Sequence, residues 1–307
     1  MLNRKIYVTL GLVLAVAITA NAQVEKWQTG IVKQEFLYDK APFPSCHSAT
    51  IAETPTGLVA SFFGGTKERN PDVEIYISRW VDGKWLAPVS AADGVQADGK
   101  RLPTWNPVLY QIPGGDLMLF YKIGPKPSEW WGVIRTSSDG GKTWSEAQKM
   151  PDGFLGPIKN KPVLLSNGTL LCPSSIEGDG WRLRMESTPD FGKTWVMGDT
   201  LPRGKQKINA IQPSILFHKD GSIQAIGRTR NRAIFSTFSK DNGKTWSAPL
   251  TIANFGAATG AGDAALVLDK TTGELLCLVS AEKEKVIFLE KLLSFIIARI
   301  IIRIAQK

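Results

Sequence analysis

Three eight-residue stretches, SSDGGKTW from Ser137 to Trp144, TPDFGKTW from Thr188 to Trp195 and SKDNGKTW from Ser239 to Trp246, share the pattern Ser/Thr-x-Asp-x-Gly-x-Thr-Trp. Their aspartates, Asp139, Asp190 and Asp241, follow one another at intervals of 51 residues. A motif that returns at a fixed interval of this size marks a chain built from repeated supersecondary units, none of which can bury its apolar face alone. Within each copy the Asp can accept backbone N–H bonds, the Gly can take φ > 0, and the Trp can pack between neighbouring sheets. The motif therefore reads as a structural turn with no chemistry of its own. SRWVDGKW, Ser78 to Trp85, looks like a degraded copy in an earlier unit.

Aligned on this period, the segments form columns. CHSATIAE, WNPVLYQI, NKPVLLS, QPSILFH and DAALVLD are short apolar runs that read as first strands. Each is followed by a turn (TPTG, PGGD, SNG, KDG, KTTG) and then by a second apolar run: LVASFFGG, LMLFYKIG, LLCPSSIE, IQAIGRTR, LLCLVSAE. A third column, VEIYISR, WWGVIRTS, WRLRMES and AIFSTFS, leads into the repeated motif, which turns the chain into a fourth strand. Four antiparallel strands every fifty or so residues predict an all-β chain, a β-propeller of four-stranded blades. Residues 23–282 supply about four or five blades, the fifth stopping after GELLCLVSAE. A propeller left open in this way would present unpaired strand edges.

The ends differ from the middle. MLNRKIYVTLGLVLAVAITANA places Arg4 and Lys5 before an apolar run that closes on Ala20-Asn21-Ala22, the pattern of a secretory signal peptide. The expected organisation is a leader over 1–22, a mature protein from about Gln23 that is secreted or periplasmic, and an incomplete propeller over 23–282. The tail over 283–307 has no Gly, Pro or Trp. Glu290, Lys291, Arg299 and Arg303 interrupt its apolar run, so it predicts an amphipathic helix rather than a membrane span. A truncated or frame-shifted gene is a further reading of the tail.

Charge matters only once these ends are set aside. Residues 23–282 carry 29 Lys and Arg against 26 Asp and Glu, a net of +3, which gives no reason to expect a nucleic-acid partner. Cys46, Cys172 and Cys277 have no metal-ligand spacing, and only His47 and His218 are present, so no metal and no cofactor are expected. An odd number of cysteines in an exported chain argues against a complete disulfide framework.

The Asp-box repeats on a propeller pattern resemble bacterial sialidases, closest to the branch of secreted BNR-repeat sialidase-like proteins. The stretches FFGGTKERNPDVEIYISR, WNPVLYQIPGGDLMLFYKIG and IQPSILFHKDGSIQAIGRTR carry the likeness, which covers about residues 40–250. The resemblance implies six blades and a site at the mouth of the central channel. It also implies retaining hydrolysis of terminal sialic acid, with three arginines on the sugar carboxylate, an Asp as acid/base and a Tyr–Glu pair as nucleophile. This sequence departs from that pattern. PSCHSAT stands where a Phe-Arg-Ile-Pro box would supply the first arginine, only Arg228 stands where an inner-site arginine would be natural, and the last blades are missing.

The candidate site is accordingly taken from the columns. Where first strands begin and second strands end, the expected substrate-binding residues are Arg228, Lys159, Lys161, Asn106, Gln212 and Trp105. Lys and Arg can bind a sugar carboxylate, with Arg offering a two-pronged fork. Glu68 or Asp72 is the acid/base candidate, Tyr121 with Glu177 the nucleophile pair, and His47 a further catalytic candidate. The expected activity is an exported, exo-acting glycoside hydrolase of sialidase type, whose partner is a glycan with an acidic terminal sugar. Two alternatives remain: a lyase acting on uronate polysaccharide, in which a Lys, His or Tyr removes a proton α to a neutralised carboxylate, and a glycan-binding or inactive homologue.

Overall fold

The computed structural model of the chain describes residues 33–231 and 233–254, together with the strands at Ala264–Leu268, Leu275–Val279 and Ile300–Arg303. The expected leader and most of the tail lie outside the described residues.

The predicted columns form four antiparallel sheets arranged as the blades of a propeller, with no helix among the described residues. Blade one holds β2 (Ser45–Thr54), β3 (Gly57–Gly65), β4 (Glu74–Val81), β5 (Lys84–Trp85) and β6 (Val89–Ala92). Blade two holds β7 (Thr104–Gln111), β8 (Leu117–Ile123), β9 (Trp131–Ser137) and β10 (Gln148–Lys149). Blade three holds β11 (Val163–Leu164), β12 (Leu170–Ile176), β13 (Arg182–Thr188) and β14 (Val196–Thr200). Blade four holds β15 (Ala210–Phe217), β16 (Ile223–Thr229), β17 (Ala233–Ser239) and β18 (Leu250–Asn254). A fifth unit contributes an antiparallel pair, β19 (Ala264–Leu268) with β20 (Leu275–Val279).

Outside the blades, β1 (Lys33–Phe36) pairs in parallel with β21 (Ile300–Arg303). This part of the tail was expected as helix and is a strand. Ile300, Ile301 and Ile302 are β-branched, stiff at χ1 and better suited to extended backbone.

The repeated motif does what its residues predict. Asp139 Oδ1 accepts from the backbone N–H of Lys142 and Thr143 at 3.0 and 2.9 Å, and its Oδ2 accepts from Thr143 Oγ1 at 2.6 Å. Asp190 accepts from Thr194 N and Oγ1 at 2.8 and 2.7 Å, and Asp241 from Thr245 N at 2.9 Å. These bonds, led at Asp139 and Asp241 by the threonine hydroxyl, hold all three carboxyls below the usual carboxylate range, Asp241 at about 2. The glycines Gly141, Gly192 and Gly243 have φ of 81°, 102° and 80°.

Each motif also welds its blade to the one before. A Cβ at Gly141, Gly192 or Gly243 would meet Val59, Met118 or Leu171 at 3.3, 3.5 or 2.9 Å, residues on the second strand of the preceding blade. Trp195 lies edge-on to Phe120 of blade two at 6.3 Å. SRWVDGKW is not a further copy. Asp82 and Gly83, with φ of 49° and 82°, close a two-residue hairpin in which Trp80 faces Trp85, and β6 takes the outer position on β4.

Blade interfaces follow strand alternation. On β8, Leu117, Leu119 and Tyr121 face Val59, Ile75 and Ile77 of blade one, while Met118 and Phe120 face Leu170 and Cys172 of blade three. A strand buried on both faces needs a continuous apolar run, which LMLFYKI supplies apart from Lys122. Toward the channel mouth, three first strands bulge at the same place, between His47 and Thr50, Trp105 and Val108, and Ile211 and Ser214. The bulge residues Ser48, Asn106 and Gln212 have φ of 60°, 41° and 55°. Such bulges re-aim side chains where a sheet meets a site.

Candidate functional site

Residues from three blades converge on one rim. His47, on β2, places Nδ1 3.2 Å from Oε2 of Glu68, which lies in the turn after β3. Both side chains are exposed. In blade three, Glu177 follows β12 and Trp181 precedes β13, and the Trp181 indole N–H donates to Glu177 Oε2 at 3.2 Å. In blade four, Arg228 is the penultimate residue of β16 and Arg230 follows the strand. Their guanidinium carbons stand 4.9 and 4.6 Å from the centroid of the Trp181 ring, in cation–π range.

The electrostatics tie these groups together. The His47 hydrogen bond holds the Glu68 carboxyl below its ordinary value against the opposing effect of burial, and Arg69 and Arg228 add to this. Glu177 moves the other way. Desolvation raises it, and Arg228, the Trp181 hydrogen bond, Arg230 and Arg69 offset only part of the rise. Arg69 and Arg228 therefore act on both carboxyls in the same direction, while the His47 bond favours Glu68 as the anion and desolvation takes Glu177 toward the acid. Such a divergence between neighbouring carboxyls is how acid and base roles are separated.

Of the expected site residues, His47, Glu68, Glu177 and Arg228 are brought together. The others are placed differently. Asp72 Oδ2 accepts from Thr66 N and Oγ1 at 2.8 and 2.5 Å, which lowers its pKa and closes the β3–β4 turn. A carboxyl held as the anion is a poor proton donor. Tyr121 does not reach Glu177. Strand alternation turns it into the core between blades one and two, where it is 1% exposed and burial pushes its hydroxyl up to about 12.

Lys159 and Lys161 are committed elsewhere. Their ammonium groups donate to the backbone carbonyls of Ala49, at 3.4 Å, and of Ile51, both on β2. They bridge blade three to blade one and are not poised over the arginines. Asn160, between them, donates to the Gln212 carbonyl at 2.8 Å. Gln212 and Asn106 occupy the bulges; Asn106 is buried, and Gln212 N donates to Ser175 Oγ at 3.3 Å. Trp105 is 2% exposed and donates from Nε1 to the Gly124 carbonyl at 2.8 Å, packed edge-on to Phe63 and Trp130. It is a wall, not a sugar platform.

Lys122 is also turned inward. Its ammonium donates to the Pro157 carbonyl, and full burial lowers its pKa to about 7, with Glu186 opposing the fall. Glu186 in turn accepts from Leu155 N, Gly156 N, Ser174 Oγ and Arg184 Nη2 at 3.0, 2.7, 2.9 and 2.6 Å. This network fastens the loop before β11 and has no access to a ligand. Cys172 is buried and unpaired and Cys46 is half-buried and unpaired. Among the described residues no three His, Cys, Asp or Glu side chains converge as a metal site. No helix among those residues is long and apolar enough to cross a membrane.

The sequence places Arg230 on the same rim, at the end of its second-strand run IQAIGRTR, but gives no site role to Trp181 or Arg69. Trp181 had a signal: it stands immediately before the third strand of its blade, as Trp131 opens that of blade two, after the Gly-rich turn EGDG.

The model of the BNR repeat-like domain matches residues 56–290. Three solved structures are similar in fold. A protein of unknown function from Dyadobacter fermentans superposes with a TM-score of 0.61 and 16% identity, over 79% of this chain and 76% of that one. The Hadza microbial sialidase Hz136 gives 0.61 and 16%, over 77% and 53%. The α-L-arabinanase of Penicillium chrysogenum, complexed with arabinobiose, gives 0.55 and 20%, over 80% and 78%. The chain thus spans about half the length of the Hadza sialidase. No curated protein matches it.

Proposed function

The chain belongs to the family of BNR repeat-like domains, and from that premise we propose that it is an exported, exo-acting glycoside hydrolase of sialidase type that removes a terminal acidic sugar from glycans. The observation that carries this reading is that Glu68 and Glu177, from different blades, lie in the field of the same Arg69 and Arg228, which lowers both, while the His47 hydrogen bond at 3.2 Å takes Glu68 further toward the anion and desolvation takes Glu177 toward the acid.

In this reading Arg228, with Arg69 and Arg230, takes the sugar carboxylate; a guanidinium fork matches that group in geometry as well as charge. Glu177, kept toward the acid form, gives its proton to the departing glycosidic oxygen as the bond to the anomeric carbon breaks. The His47–Glu68 pair is the base: with Nδ1 donating to the Glu68 carboxylate, Nε2 carries the lone pair and accepts the proton of the attacking water. The water oxygen forms the new bond. Tyr121, buried between blades one and two, takes no part.

A uronate lyase is the second reading, and the same His47–Glu68 pair favours it, since a base beside arginines also suits removal of a proton α to a neutralised carboxylate. Product analysis separates the two. A sialyl-oligosaccharide incubated with the protein yields free sialic acid if the hydrolase reading holds; an unsaturated uronate released from an acidic polysaccharide instead would replace it. Export is part of the proposal: mass measurement of the mature protein should place its first residue near Gln23, and retention of residues 1–22 in exported protein would contradict this.

A further inference from the structure

Trp181 touches three side chains of the site. Its ring lies under the guanidiniums of Arg228 and Arg230 while its N–H reaches Glu177 Oε2. The residue is itself held firmly: it is 9% exposed, its carbonyl accepts from Ala210 N at 3.2 Å, and the loop before it is fastened by Arg203 Nη2 on the Asp179 carbonyl at 2.9 Å. The adjoining Asp179 carboxylate stands 3.8 Å from Arg182.

We infer that Trp181 is the positioning residue of the site, holding the carboxylate-binding arginines in place with its ring and fixing the transferable proton of Glu177 on Oε1 with its N–H. The inference rests on the hydrolase reading. Its chemical basis is simple. An indole N–H only donates, so Oε2 must accept from it. The carbonyl oxygen of a carboxylic acid is the better acceptor, so the acid proton stays on Oε1, which is then the atom that protonates the departing oxygen. One side chain thereby fixes the proton donor relative to the anion clamp, the kind of support that keeps a site from being loosely assembled.

The two duties can be separated. Trp181→Phe keeps an aromatic face for the arginines and removes the N–H; Trp181→Ala removes both. Among the described residues, the charged groups acting on Glu177 are Arg228, Arg230 and Arg69, and all three remain in both variants. Because the lost hydrogen bond favoured the anion, the Glu177 titration in Trp181→Phe, read by carboxyl carbon NMR, should shift upward. The alkaline limb of kcat on a sialyl-oligosaccharide should shift with it, kcat should fall, and KM should hardly change. In Trp181→Ala, KM should also rise about tenfold, because the arginines lose the ring that holds them for the carboxylate. A Trp181→Phe protein whose Glu177 titration matches the parent overturns the inference, and so does one in which KM rises while kcat and its pH limb stay fixed. If the parent releases no sugar, the hydrolase reading fails, and the Glu177 titration still decides the role of Trp181.

Discussion

His47 Nδ1 and Glu68 Oε2 meet at 3.2 Å across the open end of a single blade. The antiparallel register that sets His47 opposite Phe63 brings the end of β3 back to the start of β2, so a residue just past that strand can turn onto the imidazole. The pair has the form of a base and its orienting carboxylate. Replacing His47 by Gln, or Glu68 by Gln, should cut turnover by about 10²-fold or more with the fold intact. Turnover within a factor of about two of the parent in both variants would remove the pair from the chemistry.

Arg228→Lys keeps the charge and loses the fork. Affinity for the acidic sugar should fall by about 1.5–3 kcal/mol, the range for a charge-assisted hydrogen bond, while thermal stability changes little. Calorimetry with sialic acid checks this; equal affinity in Arg228→Lys and Arg228→Ala would show that the carboxylate sits elsewhere.

Trp195 belongs to the turn and not to the site. It is half-buried against Phe120 and Phe154, and its N–H donates to the Gly192 carbonyl at 3.1 Å. Trp195→Ala should lose stability toward the lower end of about 3–5 kcal/mol, with ligand affinity per folded molecule unchanged. Denaturant unfolding beside a binding isotherm separates the two, and a stable variant unable to bind would contradict the assignment.

Lys122 makes stability depend on pH in an unusual direction. Its pKa falls from 10.5 to about 7 on folding, so between those values the unfolded chain holds the proton that the folded one gives up. Folding stability should therefore rise with pH across that interval, and the gain should be absent below about 7. Lys122→Met should remove that slope and be as stable as the parent, or more so, near neutral pH. Unfolding free energies at two pH values for each protein test this; an unchanged slope would mean that Lys122 is not the titrating group.

Much of the fold was legible because it is written locally. First, second and third strands, their Asn-Gly and Asp-Gly turns and the Asp-box geometry all lie within one period, and alternation reads directly onto the blade faces. Tyr121 shows what that alternation says when it is followed through: Leu117 and Leu119 already fix odd residues of β8 on the blade-one face, so a rim position for Tyr121 conflicts with its own strand. Lys159 and Lys161 are a different case. Their partners on β2 lie 110 residues away, and nothing local distinguishes a cation that reaches across the channel from one that awaits a ligand. Trp181 stood in a recognisable column, yet its role depends on arginines of the next blade.

The central claim is that this rim breaks the bond to a terminal acidic sugar with Glu177 as proton donor. Purified parent protein and Glu177→Gln should be incubated with a sialyl-oligosaccharide and the products identified by mass spectrometry and NMR. Free sialic acid released by the parent, with release reduced by about 10²-fold or more in Glu177→Gln, is the predicted result. No free sialic acid from folded parent protein, or equal release from both proteins, would contradict the account.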